Sequence, residues 1–272
     1  MTRMGVPIPR RTFLTAGALA VLAAGGVLGA GVVGAEARGS SNDGPGPVPD
    51  APPGDERVER RRSDVRNRDV DFYTAVPAGH GDGRGLPVCL VLHGASATAA
   101  DFPRFGFGRF LTDAVQRGAA PFVLAGATGS PRGWEAVGGD DPMRMVYEEL
   151  PRWCAERSFD TARLSGWGWS LGGYGVLRLA EVHAGFVRAV AAFSPAVSQG
   201  DRVFADVGVL RGTGVGLWCG RDDGLYPSVR RLEQALPEPP RAGSYGPGHH
   251  TRAYWNRITP AAFDFIASTL SP

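Results

Sequence analysis

The chain is 272 residues long, enough for one α/β domain of ordinary size with short extensions. All 29 basic residues are arginine, which excludes phosphate loops of the GKS/GKT type, Schiff-base enzymes and Ser–Lys dyads, since each needs a lysine amine. The formal charge of +2 comes from residues 1–37, where Arg3, Arg10 and Arg11 stand against Glu36 alone, so the body is neutral and offers no electrostatic footprint for DNA or RNA.

Residues 9–15 read PRRTFLT, which resembles the twin-arginine export motif. A weakly apolar Gly/Ala-rich stretch follows from Phe13 to about Ala35, and Ala35-Glu36-Ala37 offers small residues where a signal peptidase reads. Residues 1–37 are therefore expected to be a signal handed to the twin-arginine export machinery. The alternative is an uncleaved anchor, because the stretch is long enough to span a bilayer. The mature protein is expected outside the cytoplasm or in the cell envelope.

Residues 38–68 are expected to be a disordered linker. Up to Pro53 they are Gly, Ser, Pro and Asp with almost nothing to bury. Then comes the charge-dense DERVERRRSDVRNR, with Val58 and Val65 its only apolar residues. The folded domain is expected to span residues 69–272.

Within it, apolar runs alternate with helix-period segments, the pattern of βαβ units and a parallel sheet. Val70–Val76, Leu86–His93, Pro121–Gly126, Ala162–Trp169, Val187–Ser194, Val215–Cys219 and Arg241–Tyr245 read as strands. Helices are expected within Asp101–Gly118, over Asp141–Arg157 with Asp140 or Asp141 as cap, and over Leu171–His183, Pro227–Leu236 and Pro260–Leu270. The fold class is a three-layer α/β sandwich with a mostly parallel sheet, whose ligand site lies at the carboxyl ends of the strands. Cys89 and Cys219 fall in apolar runs, where Cys acts as a small hydrophobe. CxxC spacing is absent, so no zinc or redox site is expected. One disulfide among Cys89, Cys154 and Cys219 stays open.

Gly168-Trp169-Ser170-Leu171-Gly172 fits G-x-S-x-G between a strand and a helix. A Ser on that sharp turn projects its hydroxyl above the sheet, and only small residues two places either side let strand and helix approach. The turn resembles the nucleophile elbow of α/β-hydrolases, and Ser170 is expected to be its nucleophile. The Leu171 amide, opening the helix, is one oxyanion donor. His93-Gly94-Ala95 closes an earlier strand, and the fold places the second donor in that loop, here the Ala95 amide. His93 itself reads as a structural imidazole that orients the loop.

The hydroxyl needs a base. Of the five histidines, His80 sits in a Gly-rich loop and His183 ends an outer helix, whereas His249-His250 follow the last strand. The acid should lie between Ser and His in chain order, and Arg221-Asp222-Asp223-Gly224 leaves a strand there. From position alone, either aspartate and either histidine could serve.

With these motifs in place, the chain from about Val88 onward resembles the esterase D and mycolyltransferase-like branch of the α/β-hydrolases. The resemblance is carried by LVLHG, GWGWSLGGYG, SPA at Ser194–Ala196, CGRDDGLYP, GHHTRAYW and the segment from Trp134 through GGDDPMRMVYEELP. It implies a serine acyl enzyme with neither metal nor cofactor, acting on a small-molecule or glycolipid ester. That branch's register selects Asp223, three residues after Gly220 and ahead of Gly224-Leu225-Tyr226-Pro227. It also selects His250, five residues before Trp255. Trp134, Trp169 and Trp255 are candidates for an acyl pocket, with core packing as the alternative. The segment AGATGSPRGW is loose where relatives often carry an acidic turn.

Only about twenty residues separate Ser194 from Val215, where lipases of this fold insert a lid. A minimal cap, a soluble or short-chain ester and a monomer are expected. Alternative readings of the same residues are an acyltransferase to a sugar or lipid hydroxyl, a peptidase, and a non-catalytic binding protein.

Overall fold

The computed structural model of the chain describes residues 46–271. The segment expected to be a signal, residues 1–37, and the first part of the expected linker lie outside the described residues. Eight strands form one sheet: β1 (Asp55–Ser63), β2 (Arg68–Val76), β3 (Pro87–Leu92), β4 (Val123–Ala127), β5 (Asp160–Trp169), β6 (Ala189–Phe193), β7 (Gly214–Trp218) and β8 (Ala242–Ser244). Their order is β1-β2-β4-β3-β5-β6-β7-β8. β1 and β2 run antiparallel to their neighbours, and β3 through β8 are parallel to one another. Every residue of β3, β4, β6 and β7 is buried. Those strands read as unbroken apolar runs because helices cover both faces of the sheet.

The helices are α1 (Phe107–Gln116), α2 (Pro142–Arg144), α3 (Leu150–Glu156), α4 (Leu171–Val182), α5 (Arg202–Ala205), α6 (Tyr226–Ala235) and α7 (Arg252–Leu270). α1 and α7 pack on one face around Phe107, Trp167 and Phe263. α3, α4 and α6 pack on the other around Leu90, Trp153, Leu177 and Val229. Between β6 and β7 lie only α5 and the 3-10 turn Val207–Leu210, a minimal cap as expected. Asp141, not Asp140, caps α2 by accepting from the Arg144 amide at 2.9 Å. Asp140 instead accepts two bonds from Arg66, at 2.6 and 2.8 Å.

Two boundaries differ from the sequence expectation. The sheet begins at Asp55, not Asp69, because residues 55–63 form β1, paired with β2 from Asp55↔Val76 to Ser63↔Arg68. Their charges belong to an edge strand, which needs one hydrogen-bonded neighbour and discourages further pairing with charged side chains. Arg60 reaches Asp71 and Arg61 reaches Glu156, at 2.8 and 2.6 Å. Glu149, in a π-helical turn between α2 and α3, anchors the β1–β2 turn. It accepts from the Ser63 hydroxyl at 2.5 Å and from the amides of Asp64 and Val65 at 2.9 and 3.2 Å. Ahead of β1, residues 46–54 also dock: Asn256 donates to the Gly46 carbonyl and Arg109 to that of Ala51. The linker expectation thus fails over 46–68.

The closing helix begins at Arg252, eight residues before Pro260. Thr251 caps it by accepting from the Tyr254 amide. Pro260, read as a helix start, lies inside. Just before it, the Thr259 hydroxyl donates to the Trp255 carbonyl one turn back, at 2.8 Å. Cys89, Cys154 and Cys219 are all buried and unpaired.

Candidate active site

β5 ends at Trp169 and α4 begins at Leu171, which leaves Ser170 alone to make the turn at φ 55°, ψ −121°. The flanking glycines are compelled by contact. A Cβ on Gly172 would lie 1.9 Å from the Leu92 carbonyl oxygen, and one on Gly168 would lie 2.3 Å from that of Gly172. Hydrogen bonds then lock the elbow to β6: the Ser170 amide donates to Phe193 at 2.9 Å, and its carbonyl accepts from Ala196 at 2.9 Å.

His250 follows β8, and its Nε2 stands 3.0 Å from Ser170 Oγ. Its Nδ1 stands 2.8 Å from Oδ2 of Asp223, in the loop after β7. An ionised carboxylate can only accept, so Nδ1 carries the proton and Nε2 presents its lone pair to the hydroxyl. Burial alone would raise the Asp223 pKa. The hydrogen bond and charge of His250, the Leu225 amide and the Ser194 side chain outweigh it and hold the carboxyl below its usual range.

The adjacent residues go elsewhere. Asp222 accepts from the Gly248 amide at 3.0 Å, and its carbonyl meets His249 Nδ1 at 3.2 Å. They tie the acid loop to the base loop. The structure therefore brings together Ser170, Asp223 and His250, the members that the register selected, and not Asp222 or His249.

Beside the elbow, β3 delivers His93. Its Nδ1–H donates to Gly94 O and its Nε2 accepts from the Gly129 amide, each at 2.8 Å. Burial lowers its pKa to about 4, so the ring stays neutral and serves to fix two loops, as the sequence reading held. Ala95 follows in the turn. The Leu171 N–H has no acceptor inside α4, since first-turn amides of a helix have none. Of the two candidate oxyanion donors, Leu171 directly follows Ser170 at the start of α4.

The tryptophans do not form a pocket. Trp134, Trp169 and Trp255 are each at most 3% exposed. Trp134 fills the space between Gly129 and Gly175, and its indole N–H donates to the His93 carbonyl. The period of β5 turns Trp169 into the layer under α1 and α7, among Phe102, Phe105 and Phe107. Trp255, on the first turn of α7, packs edge-on to His250 at 5.0 Å. The alternative reading, core packing, applies to all three.

Three features near the site had no sequence signal strong enough to single them out. Ser194 was legible only as part of SPA. Arg252 lies over the rings of Phe105, Trp169 and Trp255, with centroid distances of 3.9, 4.6 and 5.1 Å. Arg178, on the nucleophile's helix, binds Glu135, Glu181 and Asp206 together. Among the described residues, no group of three or more His, Cys, Asp or Glu is placed to hold a metal ion.

A mostly parallel sheet between helical layers, with a serine elbow after β5 and an Asp and a His brought to it by later loops, defines an α/β-hydrolase. Residues 63–263 match the model of the Esterase family, described as "Putative esterase", and the chain belongs to that family of carboxylic ester hydrolases. Solved structures share the fold. A ferulic acid esterase superposes with a TM-score of 0.71 at 18% identity, over 80% of this chain and 98% of that one. The S-formylglutathione hydrolase of Agrobacterium tumefaciens gives 0.63 at 17%, over 79% and 95%. The substrate-bound fluorophosphonate-binding serine hydrolase F of Staphylococcus aureus gives 0.66 at 15%, over 79% and 99%. No curated protein matches the chain.

Proposed function

We propose that this chain is a serine esterase that cleaves a carboxylic ester through an acyl-enzyme on Ser170. The observation that carries this reading is the run of two short contacts, Ser170 Oγ to His250 Nε2 at 3.0 Å and His250 Nδ1 to Asp223 Oδ2 at 2.8 Å. A hydroxyl is a poor nucleophile until a base removes its proton. As Oγ attacks the ester carbonyl carbon, His250 Nε2 takes that proton and becomes an imidazolium. Asp223 stabilises the cation and holds the tautomer. The carbonyl oxygen gathers negative charge, which the amides of Ala95 and Leu171 receive; one such donor is worth about 10²–10³ in turnover.

His250 then returns the proton to the leaving alkoxide, and the alcohol departs. Water enters, gives a proton to the same nitrogen and attacks the acyl carbon; as the bond to Ser170 Oγ breaks, His250 returns the proton to Oγ and the acid departs. We also propose export through the twin-arginine route, on the strength of Arg10-Arg11 and the apolar stretch after them. Arg10→Lys with Arg11→Lys should leave precursor in the cytoplasm, and undiminished export would remove that part of the proposal.

Activity-based labelling tests the chemistry. A fluorophosphonate probe should label the protein once, at Ser170, and Ser170→Ala should abolish labelling along with hydrolysis of nitrophenyl esters. Equal labelling of the Ala variant, or an unreactive wild type, would end the serine-esterase reading.

A further inference from the structure

The charged turn between β1 and β2 delivers a buried cation to the loop that leaves β4. β2 runs antiparallel to β4, so this turn lies at the carboxyl ends of the parallel strands, the same end as Ser170. The Arg66 side chain has no exposed surface. Its Nε and Nη2 bind both oxygens of Asp140, at 2.6 and 2.8 Å. That grip fixes the plane of the guanidinium and aims Nη1 at the Thr128 carbonyl, to which it donates at 2.5 Å. An ion pair tying turn to loop needs only the first two bonds; the third leads on toward the site.

The Thr128 carbonyl and the Gly129 N–H belong to one peptide group, and that N–H donates to His93 Nε2 at 2.8 Å. An accepting Nε2 leaves the ring proton on Nδ1, which donates to the Gly94 carbonyl at 2.8 Å. The Gly94 carbonyl and the Ala95 N–H again share one peptide group. A planar trans peptide points its N–H opposite its carbonyl, so holding Gly94 O sets the direction of the Ala95 N–H. Three hydrogen bonds thus link the guanidinium to the Ala95 peptide, and each polarises the next group in the same sense. Two further bonds clasp the same pair of loops: Trp134 Nε1 donates to His93 O, and the Ala99 amide to Thr128 Oγ1, each at 3.1 Å. A Cβ on Gly172 would lie 2.8 Å from His93 O, so the chain that continues to Ala95 starts against the first turn of α4.

We propose that Arg66 is a positioning residue for the oxyanion site: through the Thr128–Gly129 peptide, the His93 ring and the Gly94–Ala95 peptide, it holds the Ala95 N–H toward the oxygen of the attacked ester carbonyl. A loop amide stabilises an oxyanion well only when it is fixed beforehand, and Gly94 by itself leaves the loop free to turn. Arg66 acts through His93 and does not meet the ester. The inference rests on the serine-esterase reading, with Ala95 as donor, for its effect on turnover, but not for the run of hydrogen bonds.

Arg66→Met removes the start of the relay. Arg66→Lys keeps a cation beside Asp140 but lacks the planar fork that reaches Asp140 and Thr128 together. Active sites are counted by exhaustive fluorophosphonate labelling. Per site, kcat on a nitrophenyl ester should fall about 10–100-fold in the Met variant and about 3–30-fold in the Lys variant, with KM changed less than about threefold. Affinity for a trifluoromethyl ketone, which adds to Ser170 and leaves an oxyanion, should weaken by the same factor as kcat/KM. A merely structural ion pair would lower the melting temperature and the number of active sites while leaving both per-site values alone. The imidazole 15N resonances of His93, which need no substrate, should move from the Nδ1-protonated pattern toward a mixture of tautomers in both variants.

Wild-type kcat per active site would overturn the inference, and where Arg66→Met does not fold the Lys variant alone decides. So would His93 resonances that stay unmoved. A fall in kcat with ketone affinity unchanged would overturn it too, by placing the effect on proton transfer at His250. A wild type that takes no label and hydrolyses no ester would overturn the esterase reading instead, and the His93 resonances would still decide whether Arg66 holds the ring.

Discussion

Asp222 and Asp223 are adjacent in sequence yet serve two different loops' needs: one carboxylate accepts from the Gly248 amide at 3.0 Å, the other from His250 Nδ1 at 2.8 Å. Successive residues of an extended loop point apart, so one aspartate can meet the imidazole only if the other faces away. The same split separates His249 from His250.

Substitution at each position should therefore give very unequal results. His250→Ala should lower turnover by about 10³–10⁶, since no other side chain can take the Ser170 proton. Asp223→Asn should cost somewhat less, because the acid orients and stabilises the ring without exchanging its own proton. Asp222→Asn and His249→Ala should keep most activity. Steady-state kinetics on one ester decides the matter, and a dead His249→Ala beside an active His250→Ala would reverse the assignment.

Gly172 should tolerate no side chain. A Cβ there would fall 1.9 Å from the Leu92 carbonyl oxygen, and backbone pinned in a central strand cannot step aside. Gly172→Ala should lose several kcal/mol of stability, in the range of severe overpacking, and should lose labelling at Ser170 as the elbow shifts. A variant that melts within a degree or two of wild type would show that α4 can slide away from β3.

Glu181 gives the fold a pH dependence separate from the triad. Burial pushes its carboxyl up to about 7, against the pull of Arg178 at 2.5 Å and with the charges of Asp206 and Glu135 adding to the rise. A folded-state pKa above the unfolded value of about 4.3 means that the folded chain binds the proton more tightly. The stability from protonated Glu181 is then complete below about pH 4.3 and is lost as pH rises through about 7. Glu181→Gln removes that titration. The melting temperature of the Gln variant minus that of wild type should climb by roughly 2–8 °C between pH 5 and pH 8. A difference that stays flat across this window would show Glu181 ionised throughout, as a settled partner of Arg178.

The elements that the sequence revealed are those whose local pattern has one structural meaning. β3 was legible as an apolar run, and G-x-S-x-G between a strand and a helix located Ser170. β1 was not. An edge strand buries little, so its charges gave it the composition of a solvated segment, and only pairing with β2 reveals it. Pro260 misled in a similar way, because proline at the first turn and proline within a long helix look alike until the residues before it, capped by Thr251, are seen packed on the sheet.

By itself the sequence determined that the chain carries a strand–serine–helix elbow, which aspartates and histidines follow it, and that lysine chemistry is absent. These are facts of identity and spacing. Only the tertiary structure decided that Asp223 and His250 face Ser170, and that the three tryptophans are buried in the core instead of lining a pocket. Ser170 and His250 are 80 residues apart in the chain, and Asp223 and His250 are 27 apart. Contacts over such separations depend on where β5, β7 and β8 lie relative to one another, and no local pattern encodes that placement.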